Sequence, residues 1–315
     1  MRLSFCSLLF ILICCGCQKT CEDFETNITF YPSPCLLKSK PSAFPPLNPE
    51  ECRTDWGKEL RIAYVFSKEQ DYYRAITSCK RGLVLLPPRF ADKKWQFEYL
   101  IVQSYYLGYK YQEAVEAFEA TTLCRVTKEF PAFHDLLIMM YESYSRIGEE
   151  EKAQDTMNVI KANYPEDVQS LELSAALQEA DFPAISILAE SRMDRDEINN
   201  FLGNYCCEAK SVRRAETFQA LLPGAGYYYV GQTKTALTSL LINSLFIWAA
   251  WNFFERGDTA AGLITTSLEL GWYLGGINGA GLAAKEYNER LYEGNAKEFM
   301  RKRNFFPILM LQTNF

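Results

Sequence analysis

The sequence predicts an all-α chain: a helical solenoid of stacked helix pairs, followed by a hydrophobic helical hairpin. Three observations predict it. Ala75, Ala114 and Ala153 recur 39 residues apart, each shortly after a turn-like stretch such as Gly108-Tyr109-Lys110 or Gly148-Glu149-Glu150, and a fixed period in that range belongs to stacked helix pairs that cannot bury their apolar faces singly. From Thr235 to Phe254, 20 residues pass without a charge, a helix of about 30 Å and therefore as deep as a bilayer's hydrocarbon layer. Glu255-Arg256-Gly257-Asp258 then reads as a turn, and a Gly-rich apolar segment returns to Ala284.

Composition removes whole classes of function. The net charge is −6, the sequence pI is 5.2, and no long Lys/Arg run occurs, so the electrostatic footprint of a nucleic-acid binder is missing. The one histidine, His134, rules out two-His zinc motifs and leaves any catalytic triad dependent on a single imidazole. It opens the first helix of the third repeat, the place of a solvated or capping side chain, with no nucleophile-base pair beside it. No enzyme, cofactor or metal is expected.

Residues 1–16 have the form of a secretory signal: Met1-Arg2 ahead of the short apolar run Leu3 to Ile13. The run ends in Cys14-Cys15-Gly16-Cys17. Gly16 and Cys17 resemble a bacterial lipoprotein signal, in which the cysteine after a small residue is lipidated, although Cys14 stands where that family usually has Leu, Val or Ile. The resemblance implies lipidation at Cys17; plain secretion and an uncleaved anchor are the alternatives. Residues 17–52, with Pro32, Pro34, Pro41, Pro45, Pro46 and Pro49, read as a tether with local turns. Cys21, Cys35 and Cys52 either pair once or stay free thiols. Cys79 reads as a small core residue.

Residues 53–192 carry the repeats. Ile62, Ala63, Phe66, Ala75, Gly82 and Pro87, then Ile101, Tyr105, Ala114 and Phe118, then Met140, Tyr144, Gly148, Ala153, Met157 and Pro165 resemble tetratricopeptide repeats. The period of 39 exceeds that family's, which is about 34, and the second repeat lacks its closing proline. A weaker pair, Val168 to Ser191, caps the stack. The resemblance implies that an extended peptide or partner helix binds on the face made by the first helices, which falls on Tyr64, Tyr99, Gln103, Tyr106, Glu142 and Arg146. Packing between repeats, or plain solvent exposure, is the alternative for these six.

Residues 193–222 form a connector ending in an amphipathic helix, with Val212, Ala215, Phe218 and Leu222 on one face. It reads either as a packing helix against the last repeat or as a helix lying on a membrane surface. Residues 223–284 form the hairpin. Its opening, Pro223-Gly224-x-Gly226-x-x-Tyr229-x-Gly231, resembles a small two-helix membrane module of bacterial proteins; no Lys-Ser or Lys-Thr pair follows, so a phosphate-binding loop is excluded. Gly271, Gly275 and Gly279 repeat at four-residue spacing, a ridge of small residues against which the first arm or an identical hairpin can pack closely. Asn243 and Glu269 are the conspicuous polar groups in the arms, and a hydrogen-bonded structural role for Glu269 stands against a proton-relay role.

Residues 285–315 read as a charged helix, Lys285 to Arg303, and an apolar docking tail. Arg213, Arg214, Lys234, Lys285 and Arg290 flank the hairpin's open end and would place it in the cytoplasm by the positive-inside rule, against the direction implied by the signal. Together these features predict a membrane-anchored lipoprotein facing the periplasm, at the outer membrane first. It would act as a non-enzymatic scaffold or adaptor with a protein partner on its repeats, membrane lipid at its hairpin, and self-association through the hairpin. A component of a transport or protein-insertion assembly is the alternative.

Overall fold

The computed structural model describes residues 26–33 and 39–314, and every regular element among them is helical, with consecutive helices packed in sequence order as in a solenoid. Two compact units divide them. One holds Thr29–Leu177, Pro183–Leu188 and Lys297–Phe315; the other holds Gln178–Phe182, Ala189–Ala296 and the described residues up to Ile28.

The solenoid begins where Thr54 caps helix α1 (Asp55–Lys68), its hydroxyl accepting the Gly57 N–H at 3.0 Å. That satisfies one of the donors a helix start leaves orphaned. Trp56, Leu60 and Ala63 recur at helical spacing and are buried against α2 (Tyr72–Leu85), which Asp71 caps through the Arg74 N–H at 3.1 Å. Then follow α3 (Ala91–Leu107), α4 (Tyr111–Glu119), α5 (Phe133–Ile147), α6 (Glu150–Asn163), α7 (Pro165–Glu179) and α8 (Phe182–Glu190). The second helix of each of the first three pairs starts at 72, 111 and 150, so the 39-residue spacing of Ala75, Ala114 and Ala153 is the spacing of whole helix pairs. All three alanines are buried.

Small residues set how closely these helices approach. A Cβ on Gly82 would run into the Phe97 ring, so the Phe97 side chain of α3 packs directly on the α2 backbone there. Helix α3 packs against α2, α4 and α5 and is buried on nearly every side, from Gln96 through Ser104. Cys79 is fully buried, its thiol pushed up by desolvation, as expected of a core residue rather than a reactive one.

The second unit contains α9 (Arg195–Glu208), α10 (Val212–Leu221), the short α11 (Ala225–Tyr229), α12 (Thr233–Glu255) and most of α13 (Thr259–Arg303). Gly257, at φ 83°, turns the chain between α12 and α13, and Gly262 lies against the Phe254 ring at the tip. The separate charged helix expected from Lys285 does not exist as such. No Gly, Pro or cap residue interrupts Ala283-Ala284-Lys285-Glu286, so the second arm and the charged segment form one helix of 45 residues. It ends at Asn304, whose φ is 56°.

The hairpin's base is built by its glycines. At Gly224, φ is 95° and a Cβ would meet the Ala236 carbonyl; at Gly226 a Cβ would meet the Ala215 carbonyl, Gln219 and Ala280. These close approaches close a core of Ala215, Val230, Ala280, Ala283 and Ala284, with Tyr227, Tyr229 and Tyr287 against it. Helix α10 thus buries its Ala215 face within its own unit. Phe182, Phe201, Tyr205 and Tyr292 form an aromatic cluster elsewhere in that unit, with ring centres 5.3 to 5.8 Å apart.

Candidate functional site

Of the six residues expected to line a partner-binding face, Tyr99, Gln103, Tyr106 and Glu142 are buried, while Tyr64 and Arg146 are half-buried. The structure brings them into one region. Tyr64 on α1 accepts a hydrogen bond from Gln96 Nε2 of α3 at 2.7 Å, Tyr106 on α3 donates its hydroxyl to Glu142 Oε2 of α5, and Arg146 Nε lies 3.7 Å from Glu142 Oε1. Desolvation drives the Glu142 carboxyl above its ordinary range, against Tyr106 and Arg146.

What covers this face is the chain itself. The Phe30 carbonyl accepts the Tyr109 hydroxyl at 2.8 Å, and the Tyr31 ring packs edge-on to Tyr109 at 4.7 Å. Phe44 packs on Tyr99 and Phe130 at 5.5 and 5.7 Å. Phe306 stacks on Phe30 at 4.8 Å, and the short helix α14 (Pro307–Met310) lies against α5. A cavity of about 20 Å³, room for about one water molecule, remains between Phe30, Tyr106, Glu142, Phe306 and Ile308. Open access for a partner on these six residues is therefore corrected: the site holds two segments of the same chain. The described part of residues 17–52 is likewise no free spacer, because Phe30, Tyr31 and Phe44 give it apolar surface that a solvated tether lacks.

Polar groups lock this arrangement. Asp135 accepts the backbone N–H groups of Gln312 and Thr313, each at 2.8 Å, and the Thr313 hydroxyl. Its neighbour His134 has Nδ1 2.9 Å from Asp135 and Nε2 3.0 Å from Asp167. A solvated His134 is thus also corrected: the residue is 7% exposed, its ring edge-on to Tyr164. Burial lowers its pKa, but the two acids outweigh burial and raise it. Lys40 donates to the carbonyls of Leu309 and Leu311, and the Asn314 N–H reaches the Pro41 carbonyl at 2.8 Å.

The hairpin presents a different surface. Helix α12 is, among the described residues, long and apolar enough to cross a membrane by length and composition, and its Leu237, Leu241, Leu245, Trp248 and Trp251 point outward, as do Leu263, Leu268 and Trp272 on α13. Asn243 is buried and donates to the Ser239 carbonyl at 2.6 Å, beside Gln219, which bonds Ser239 Oγ at 2.9 Å and accepts the Gly224 N–H at 2.9 Å. Glu269 is half-buried, with no partner for its Oε2. The small-residue ridge divides: Gly279 meets the Tyr227 hydroxyl, whereas at Gly271 and Gly275 an added Cβ would meet nothing within 4 Å. Packing of those two glycines on the first arm is corrected, since neither faces it closely enough for contact. Cys17, Cys21 and Cys35 lie outside the described residues; Cys52 is a free thiol.

One feature escaped the sequence reading. An open apolar cleft of about 310 Å³ lies between α4, α5 and α6, lined by Phe118, Leu123, Phe133, Leu137, Met140 and Val159. Its wall includes the 3-10 turn Thr122–Arg125, which stands where the second repeat departs from the family pattern. No family model, curated protein or solved structure matches the chain.

Proposed function

We propose that this protein is a non-enzymatic scaffold or adaptor of the cell envelope: a tetratricopeptide-like solenoid that engages a partner protein, held at a membrane by the apolar hairpin and by lipid on Cys17. The observation that carries the reading is the outward-facing apolar hairpin, with Leu237, Leu245, Trp248 and Trp251 each more than half exposed. Exposed apolar patches of that extent mark membrane or protein interaction surfaces, and tryptophans are favoured where helices meet the lipid boundary. A periplasm-facing, outer-membrane lipoprotein accommodates both the signal and the basic residues at the hairpin's open end. The solenoid supplies the partner-binding part, as helical repeats do elsewhere.

The test is fractionation of the full-length protein. Resistance to carbonate extraction with release by detergent supports the reading, and recovery in the carbonate-soluble fraction defeats it. Glu269 favours a second reading, a component of a transport or insertion assembly, because an ionisable residue without a partner in an apolar arm is costly and commonly functional. Replacing Glu269 by Gln in cells separates the two. A scaffold tolerates the change, whereas a proton-linked path does not.

A further inference from the structure

We propose that the apolar cleft between α4, α5 and α6 is a binding site for a compact, uncharged, ring-containing small molecule. The site goes beyond the scaffold reading, and none of the six residues expected to meet a protein partner lines it. Three observations carry it.

The first is how the chain makes the cleft. Helix α4 starts where the 39-residue period puts it, at Tyr111, but ends at Glu119 after 9 residues, whereas α2 and α6 each run for 14. Thr121 turns its hydroxyl back on the Phe118 carbonyl at 3.0 Å, and the 3-10 turn Thr122–Arg125 follows; short hydroxyl side chains compete with the helical ladder in this way. The missing turn of α4 leaves apolar side chains of α5 and α6 without a neighbour. Protein interiors are otherwise close-packed, so this hollow is a local departure with a cause in the sequence.

The second is size and wall. An apolar cavity of about 150 Å³ takes up one benzene, and the cleft, at about 310 Å³, therefore has room for about two rings. Its floor is fixed, since Leu123, Leu136 and Met140 belong to the buried core. Phe118, Phe133 and Tyr144 supply ring edges and faces, and Met140 a thioether. Both kinds of group pack favourably on an aromatic ligand.

The third is the state of the polar groups at the mouth. Lys152 is paired with Glu119 at 2.8 Å, the Tyr144 hydroxyl donates to the same carboxylate at 3.0 Å, and the Thr156 hydroxyl donates to the Lys152 carbonyl at 2.8 Å. No donor is left for an anionic head, and Asp155 has no ion pair among the described residues. The one unneutralised charge of the lining is thus negative, so a carboxylate or phosphate carried into the cleft would meet repulsion and desolvation without a counter-ion. An uncharged molecule meets neither.

The experiment uses the full chain in phosphatidylcholine vesicles and reads the alkylation of single cysteines by iodoacetamide with mass spectrometry. Cys124 lines the cleft, while Cys206 and Cys207 are exposed thiols on α9 and serve as internal controls. Naphthalene held at aqueous saturation should slow alkylation of Cys124 by about threefold or more, as expected once it exceeds about twice its dissociation constant, and leave Cys206 and Cys207 unchanged. 2-Naphthoate, the same rings with a carboxylate, should give no protection at that concentration. Val159→Trp, at the exposed lip of the cleft, should abolish the naphthalene effect; if that variant does not fold, the wild-type comparison decides by itself. The proposal is overturned if naphthalene leaves Cys124 unchanged, if it slows all three thiols alike, if 2-naphthoate protects equally, or if 1-decanol, an uncharged chain, protects better than naphthalene.

Discussion

The carboxylate of Asp135 accepts the backbone N–H of Gln312 at 2.8 Å across 177 residues of sequence. With the Thr313 N–H and hydroxyl on the same side chain, this contact anchors the last apolar segment on helix α5. Charge-assisted hydrogen bonds of this kind are worth about 1.5–3 kcal/mol each, so Asp135→Ala is expected to lower the solenoid's stability by about 2–3 kcal/mol in urea titration. It should also expose residues 304–314 to protease under native conditions. Asp135→Asn, which keeps one acceptor, should do both to a smaller extent.

The same site sets a pH dependence of two signs. Burial tends to raise the Asp135 carboxyl, but His134, Gln312 and Thr313 more than offset it, and its pKa falls below the ordinary 3.8. Its contribution is present above that value and is lost as pH falls through the folded value, so protection of residues 304–314 should persist at pH 5 and fail only under strongly acidic conditions.

His134 runs the other way. Its pKa is raised above the ordinary 6.5, so its contribution is complete below pH 6.5 and is lost as pH rises through the folded value. Because the chain has one histidine, melting temperatures between pH 6 and 8 should decline, and the decline should flatten in His134→Gln. A single imidazole proton resonance titrating above 6.5 by NMR gives the direct check.

Gly226 is the tightest point of the hairpin base, with Ala215, Gln219 and Ala280 all within reach of an added Cβ. Gly226→Val should overpack it by about 1–3 kcal/mol. Limited proteolysis should then cut near Tyr228 to Gln232, while the solenoid melts as before.

Gly275 behaves oppositely, because no neighbour stands within 4 Å. Gly275→Leu should leave the monomer's helicity and melting unchanged. If hairpins of two copies associate through the Gly271 and Gly275 face, as small-residue helix contacts in lipid do, crosslinked dimers in membranes should fall severalfold. An unaltered dimer yield would assign those glycines to lipid contact instead.

Cys17→Ser is expected to leave an unprocessed precursor and to abolish metabolic labelling by fatty acid. Labelling equal to wild type would remove lipidation at Cys17, without bearing on the repeats.

The helical class and the repeat were legible in the sequence because both are local. A period of 39 residues needs only small side chains at Ala75, Ala114 and Ala153 where helices meet, and any residue with the same neighbours in sequence reports it. The hairpin was legible for the same reason: an uncharged run from Thr235 to Phe254 states its own length and solvent preference. Tertiary structure alone decided what lies on the groove. Helical position puts Tyr99, Gln103, Tyr106 and Glu142 on the first helices of their pairs, yet whether water, a partner or the chain itself covers that face depends on Phe30, Phe44 and Phe306. These lie tens to hundreds of residues away, in stretches whose local pattern reads as tether and tail. The burial of His134 between Asp135 and Asp167 is of the same kind. Helical periodicity assigns a residue to a face of its own helix; which segment covers that face is set by long-range packing, and no spacing along the chain encodes it.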